Sequence, residues 1–432
     1  MFETLKNAFK VKEIRTKILI TLALVLVYRI GCFIPVPGID SKVLSENLAG
    51  NTYFSVMSAI TGGSLSQGTL FAMGIGPYIN SSIIIQLLSV AIPSLERLSK
   101  QGEEGRKQIA KITRYVAPAL AVAQALGILL SFGNGGAIDF TLFGTNAKWA
   151  TYAYMTAIYA AGSLLTVWIG ERITEYGVSN GISMLIFVGI LSTAGTSIIN
   201  QITLIGSDDM AIWRLIAFLA AVIVIFCCIV YVDLAERKIP VQYAKQVKGR
   251  KMYGGQNTVI PIRVNANGVM PLIFAFAILS FPDLIFNMFW PTSNAAIWWA
   301  MHMGAGSWPY NIVLALLILG FAYFYAQIQF NPDDISKSIQ QNGGFIPGIR
   351  PGKPTAQHLR RINNRITLFG AIFLALIALV PTLIFTAVAG TGSSLINAFS
   401  ATGMLIIVSV ALEFDKQLQS QIMMKNYKGF LK

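Results

Sequence analysis

Charge is scarce in this chain. Asp, Glu, Lys and Arg make up 12% of its 432 residues, where soluble domains carry about 25%. With 54% hydrophobic residues, a soluble fold of this length would lack polar surface. Stretches such as Ala371 to Ala389 hold no charge at all, and such windows are read as bilayer spans of roughly 20 residues. Histidine is rarer still: His302 and His358 are the only two, and they fall in segments assigned below to opposite sides of the membrane. No HExxH or GxSxG motif is present, and no lysine sits within a span to act as a base, so the chain does not read as an enzyme. The three cysteines, Cys32, Cys227 and Cys228, lie in apolar runs. They offer neither metal-ligand spacing nor a disulfide framework. No cofactor motif is present, and without a GxxxxGK[ST] loop any energy must come from a partner.

What is abundant is apolar sequence. Windows near 17–35, 70–92, 115–132, 153–170, 181–200, 213–232, 270–290, 308–328, 367–389 and 396–413 predict ten spans. The first ends in Ile-Pro-Val-Pro-Gly with no small-residue cleavage pattern, and is read as a retained span. Tyr53 to Gln67 is too short and too rich in Gly and Ser to cross alone, and is read as a re-entrant or plugging element. Of the 33 Lys and Arg, 29 fall in segments on one side of this ten-span topology. The positive-inside rule therefore puts both termini in the cytoplasm. The expected fold is an all-α integral membrane protein. Its ten spans divide into two inverted five-helix halves, 1–205 and 206–432.

Ionisable residues within the spans are few. Arg29 is the deepest, and two readings stand side by side: a snorkelling or helix-pairing arginine, or a residue of a pore. Asp283 and Glu413 lie near span ends and read as interfacial. A proton relay has no residues to run on. The two large cytoplasmic loops, 233–269 and 329–366, are basic. The first includes a predicted short hairpin. The second has a stiff Gly/Pro-framed tip at Ile349, Arg350, Pro351 and Gly352. Such loops fit either topology and anionic lipid, or an anionic partner such as ribosomal RNA.

Two segments decide between these readings: Thr69–Leu88 (TLFAMGIGPYINSSIIIQLL) and Trp168–Ile186 (WIGERITEYGVSNGISMLI). They resemble the two diagnostic segments of the SecY family, the channel subunit of the bacterial Sec protein translocon, which is similar to the Sec61 α-subunit. Ile34–Ile39 (IPVPGI), Asn265–Phe274 (NANGVMPLIF), the Arg350 loop and Gly403–Glu413 fit as well, so the likeness spans the whole chain. One departure is Val178-Ser179, where the motif commonly carries glycine. The resemblance implies a protein-conducting channel of the bacterial cytoplasmic membrane, with an hourglass pore between its halves. It passes unfolded preproteins outward and releases apolar segments into lipid. Implied partners are SecE-like and SecG-like subunits, the SecA motor ATPase, the ribosome, signal sequences, anionic lipid and a YidC-type insertase. The rival readings are a small-molecule transporter, which needs a polar mid-membrane site, and a lipid-handling scaffold, which needs no plug.

By motif position the resemblance implies a pore ring of Ile79, Ile83, Ile182, Ile186, Ile273 and Ile406. It implies a plug at about 54–67, carrying Phe54, Met57, Ile60 and Leu65. It also implies a lateral gate holding Gln86 and Asn265, and partner contacts at Arg250, Lys251 and Arg350. Ile79/Ile83 and Ile182/Ile186 are i,i+4 pairs, so each pair shares a helix face. Branched apolar side chains around a waist gate by dewetting and offer a passing chain no specific hydrogen bond. A polar bond at the lateral gate would compete with an arriving signal helix. Gln86→Leu is therefore expected to raise export of a reporter with a defective signal sequence, and unchanged export counts against that role.

Overall fold

A computed structural model of the protein describes residues 2–49, 57–58, 60–140, 148–204, 211–243, 246–248, 251–253, 258–265, 268–289, 293–304, 307–389 and 401–429. Phe54 and Arg250 lie outside them. The chain forms two discontinuous units: residues 1–215, 279–305 and 389–432 make the first, and 216–278 and 306–388 the second.

The first unit contains α1 (Phe2–Lys10), α2 (Lys12–Gly31), α3 (Ser41–Ala49), α4 (Gly76–Ala91), α5 (Pro93–Lys100), α6 (Gly102–Asn134), α7 (Lys148–Tyr176) and α8 (Gly181–Leu204). α9 (Ala211–Leu234) and α10 (Met270–Phe289) each divide between the units, and the first unit regains the chain at α11 (Asn294–His302) and α15 (Ala401–Gly429). The second unit holds α12 (Trp308–Gln329), α13 (Pro332–Gln341) and α14 (Lys353–Ala389), with five short strands among the described residues. Among the described residues six helices are long and apolar enough to cross a bilayer. A seventh span results if α4 and α5, bent by 104° at Ile92, count as one. The bend has a sequence cause: Pro93 follows Ile92, and the residue before proline is pushed out of the helical region.

Helix packing in the first unit relies on small residues, because lipid supplies no hydrophobic force between helices. Gly162 of α7 lies against the carbonyl oxygen of Leu70, Gly181 against that of Gly170, and Gly189 of α8 against that of Ile60. One end of this unit gathers Ala8, Ile14, Ile18, Val178 and Leu418 into a buried cluster. Gln421 Nε2 donates to the Val178 carbonyl there. Val178, the departure from the family's glycine, is 3% exposed and joins α1 and α2 to α15. The two terminal helices therefore meet. A different set of segments is gathered by backbone pairing of Ile39 with Ile138 and of Pro35 with Thr69. A second cluster lies beside these pairs: Val36, Leu44, Leu65, Met73, Phe132, Ile138, Met155 and Tyr159.

In the second unit the two basic loops form one body. β1 (Glu236–Tyr243) pairs antiparallel with β4 (Thr258–Arg263), from Glu236↔Arg263 to Val241↔Thr258. This is the expected hairpin. Its other edge takes β5 (Gly344–Phe345) from the later loop, in the order β4-β1-β5. β2 (Gln246–Lys248) and β3 (Lys251–Tyr253) make a second, two-stranded hairpin. Ile239 and Val241, two apart on β1, share one face and pack with Ile262, Ile339, Ile346 and Leu359. Leu359→Ala opens a cavity at the centre of this cluster and is expected to cost about 2–5 kcal/mol. Trypsin should then cut faster at Arg237, Lys238 and Arg263, and an unchanged cleavage rate would show that the cluster does not hold the loops together.

Candidate functional site

The first long motif builds the entrance to α4. Leu70 N–H donates to the Ile34 carbonyl at 2.9 Å and Val36 N–H to the Gly68 carbonyl at 3.1 Å, which ties the motif to IPVPGI. Gly74 takes φ +50, with the Thr61 methyl 2.9 Å from where a side chain would begin. That backbone suits only glycine without strain. The Gly74 carbonyl accepts the Ser163 hydroxyl at 3.0 Å. Pro77 then occupies the first turn of α4, where its missing N–H costs nothing. Ser81 Oγ donates to the Thr113 carbonyl at 2.9 Å and so fixes α4 on α6.

The second motif builds the tight turn from α7 to α8. Asn180 Oδ1 accepts the N–H groups of Ile182 at 3.1 Å and Ser183 at 3.4 Å, as an N-cap does. Thr174 Oγ1 accepts Gly181 N–H at 2.8 Å. Glu171 pairs with Arg114 of α6 at 2.6 Å. Asn180 and Thr174 thus hold the start of α8 against α7, and Glu171 ties α7 to α6.

Between these motifs lies the segment 57–68. It folds into the first unit as a turn of helix at Met57–Ser58 and Ile60, then a string of turns. Leu65 is 1% exposed in the core cluster, and the Met57 methyl sits beside Gly76 at the start of α4. Ile60 and Gly62 rest on Gly189 of α8. Arg29 Nη2 donates to the Ser192 hydroxyl of α8 at 2.5 Å, and its guanidinium lies 5.4 Å from the centre of the Phe33 ring. The bond to Ser192 joins α2 to α8.

A SecY profile matches residues 69–414. The protein translocase subunit SecY of Streptomyces galbus is 41% identical over 452 residues, with 100% of both chains covered. The chain belongs to the SecY family. Its fold is similar to a solved SecY structure described by a plug domain that stabilises the closed state of the translocation channel, at TM-score 0.61 and 19% identity, covering 94% of this chain and 92% of that one. The fold is similar also to Sec61 in a canine ribosome–channel complex, at TM-score 0.62 and 19% identity with the same coverage.

Of the six isoleucines expected in a SecY ring, five lie in the first unit. Ile79 and Ile83 are on α4, Ile182 and Ile186 on α8, and Ile406 on α15. α8 packs against α15, and α4 against α6 and α7. Ile83, Ile186 and Ile406 are buried, whereas Ile79 and Ile182 are half-buried. Ile273 belongs to the second unit, half-buried on α10. Gln86 lies on α4 and Asn265 in the second unit, where Asn265 Nδ2 donates to Asp233 Oδ1 at 2.7 Å. That bond clips the end of the hairpin to α9. Arg350 is exposed at a tip held from two sides: Thr355 Oγ1 donates to its carbonyl at 2.8 Å, and Ser336 Oγ to the Gly352 carbonyl at 2.7 Å. Ile349 beside it turns inward onto the buried cluster. Lys251 opens β3 opposite Lys248. Among the described residues no group of three His, Cys, Asp or Glu could hold a metal ion.

Sequence reasoning missed Asp233, Gly189 and Ser192. The last two are small residues about one turn apart on α8, where the plug-side backbone and the Arg29 guanidinium approach. The Asn265–Asp233 bond joins a neutral donor to a carboxylate, a pairing worth about 1.5–3 kcal/mol. A double-mutant cycle of Asn265→Ala and Asp233→Ala is expected to show coupling of that size in the unfolding of the purified protein. A cycle without coupling returns Asn265 to the gate.

Proposed function

We propose that the chain is the pore subunit of a bacterial protein translocon, passing unfolded polypeptides across the cytoplasmic membrane and releasing apolar helices sideways into lipid. The observation that carries this reading is the segment 57–68, too short to span, folded inside the first unit of a SecY-family chain and held on α8. In this reading it is the plug. The constriction comes from Ile79, Ile83, Ile182, Ile186, Ile273 and Ile406, whose branched apolar side chains exclude water while the channel is empty. They make no hydrogen bond that would select among substrates.

The finer architecture belongs to the same proposal: ten spans in two inverted halves, 1–205 and 206–432, with both termini cytoplasmic. The meeting of α1, α2 and α15 around Val178 and Leu418 supports termini on one side, and the bias of Lys and Arg supports that side being the cytoplasm. The translocase name of the relatives and the ribosome-bound neighbour support a ribosome or a motor as the source of force. Arg350 projects at the Gly/Pro tip, where a guanidinium can make two parallel bonds to a carboxylate or phosphate. The SecE-like and SecG-like subunits, SecA and a YidC-type insertase complete the assembly in this reading. Gln86 remains the gate residue of the proposal.

Reconstituted with its small subunits, the protein is expected to be electrically tight, and deletion of residues 54–67 is expected to open frequent large conductances. If neither form conducts and a radiolabelled solute is taken up instead, the channel reading is lost to a transporter.

A further inference from the structure

Arg29 sits where α2 ends, one turn before the IPVPGI loop, and its guanidinium crosses to α8. Nη2 donates to Ser192 Oγ. Nη1 is buried and finds no acceptor among the described residues. On the plug side Nη1 meets Gly62: a side chain there would begin 2.5 Å from Nη1, and 3.2 Å from both the Cα and the carbonyl oxygen of Gly189. Gly62 has φ +71, a backbone that L side chains rarely adopt. The plug backbone thus runs through a corner whose walls are the Arg29 guanidinium and the Gly189–Ser192 face of α8. Only a residue without a side chain fits there. The Ile60 carbonyl lies on Gly189 just before that corner.

We propose that Arg29 is a positioning residue for the closed channel: bonded to Ser192, its guanidinium completes with Gly189 of α8 the corner in which the plug is seated at Gly62. This rests on reading residues 57–68 as the plug. The Arg29–Ser192 bond has the strength of a charged donor on a neutral acceptor, and it is made in surroundings of low dielectric. It is also incomplete. A cation with one amino group lacking an acceptor is held at a cost, and that cost favours release of the latch. Release needs no rearrangement of the plug itself. A shift of α2 against α8 that separates Arg29 from Ser192 frees Gly62 from its corner.

The test is single-channel conductance of the reconstituted complex for Arg29→Met, Arg29→Lys and Ser192→Ala, each in the intact protein and in the 54–67 deletion. Loss of one charged hydrogen bond corresponds to about a tenfold or larger rise in open probability. That rise is expected for Arg29→Met, with a smaller one for Ser192→Ala. Arg29→Lys should recover much of the closure, because an ammonium still donates to Ser192. In the deletion none of the three should add conductance, since the element they hold is gone. Export of a defective-signal reporter should rise in the same order. Arg29→Met conducting like the parent, while the deletion conducts, overturns the latch and leaves the plug standing. The latch is equally overturned if Arg29→Met raises conductance as much in the deletion as in the intact chain. If the deletion itself is tight, the plug reading falls and the latch falls with it. Should Arg29→Met fail to accumulate in the membrane, Ser192→Ala decides: more openings support the latch, none overturns it.

Discussion

Helices surrounded by hydrocarbon gain nothing from hiding apolar surface from one another, because the lipid is as apolar as they are. What holds them is close approach of backbones and the bonding of every polar group from within. In the first unit both conditions are met at the same few places. Gly162, Gly181 and Gly189 let main chain touch main chain. Ser81, Ser163 and Thr174 carry hydrogen bonds across or around those contacts. The two diagnostic segments of the family are therefore structural in their detail. Gly181, Ser81 and Thr174 belong to these segments, and Leu70 and Gly74 of the first supply the carbonyls that Gly162 and Ser163 meet.

That constraint explains what could be read from the sequence and what could not. Apolar windows predict where helices lie, and a helix overlaps each of the ten; among the described residues six pass as spans by length and composition alone. Of the others, α4 is bent away from α5 at Pro93. Charge placed the loops, and β-branched residues near Ile239 and Ile260 gave the hairpin. The joining of β5 to β1 was not legible, because a two-residue strand has no periodicity to detect and its partner lies about a hundred residues earlier. The contacts of Asn265 were hidden for a similar reason: a single aspartate at a helix end reads as interfacial until its neighbour is known.

Arg29 was legible as unusual and illegible in its task. A lone cation in an apolar run announces itself by its cost. Its neighbours come from a segment thirty residues on and a helix more than a hundred and sixty residues on, and both present small residues, which carry little signal of their own. The six isoleucines illustrate the opposite limit. Chemically they are indistinguishable from the many that face lipid, and motif position singled them out where composition could not.

The tip bearing Arg350 leads directly into α14. Thr355, at the first turn of that helix, bonds to the Arg350 carbonyl, and Asp333 of α13 pairs with Arg360 one and a half turns further on at 2.8 Å. From Lys353 the helix runs for 37 residues, with Pro381 inside it near its far end, about 55 Å at 1.5 Å per residue. Its Gly370 lies close to the foot of the hairpin: a side chain there would begin 2.5 Å from the Val264 carbonyl oxygen. Mechanically this is a push-rod with a braced handle. A body pressing on the tip strains no floppy loop. A load on it would pass through the sheet and α13 into the long helix that follows, whose later turns are apolar.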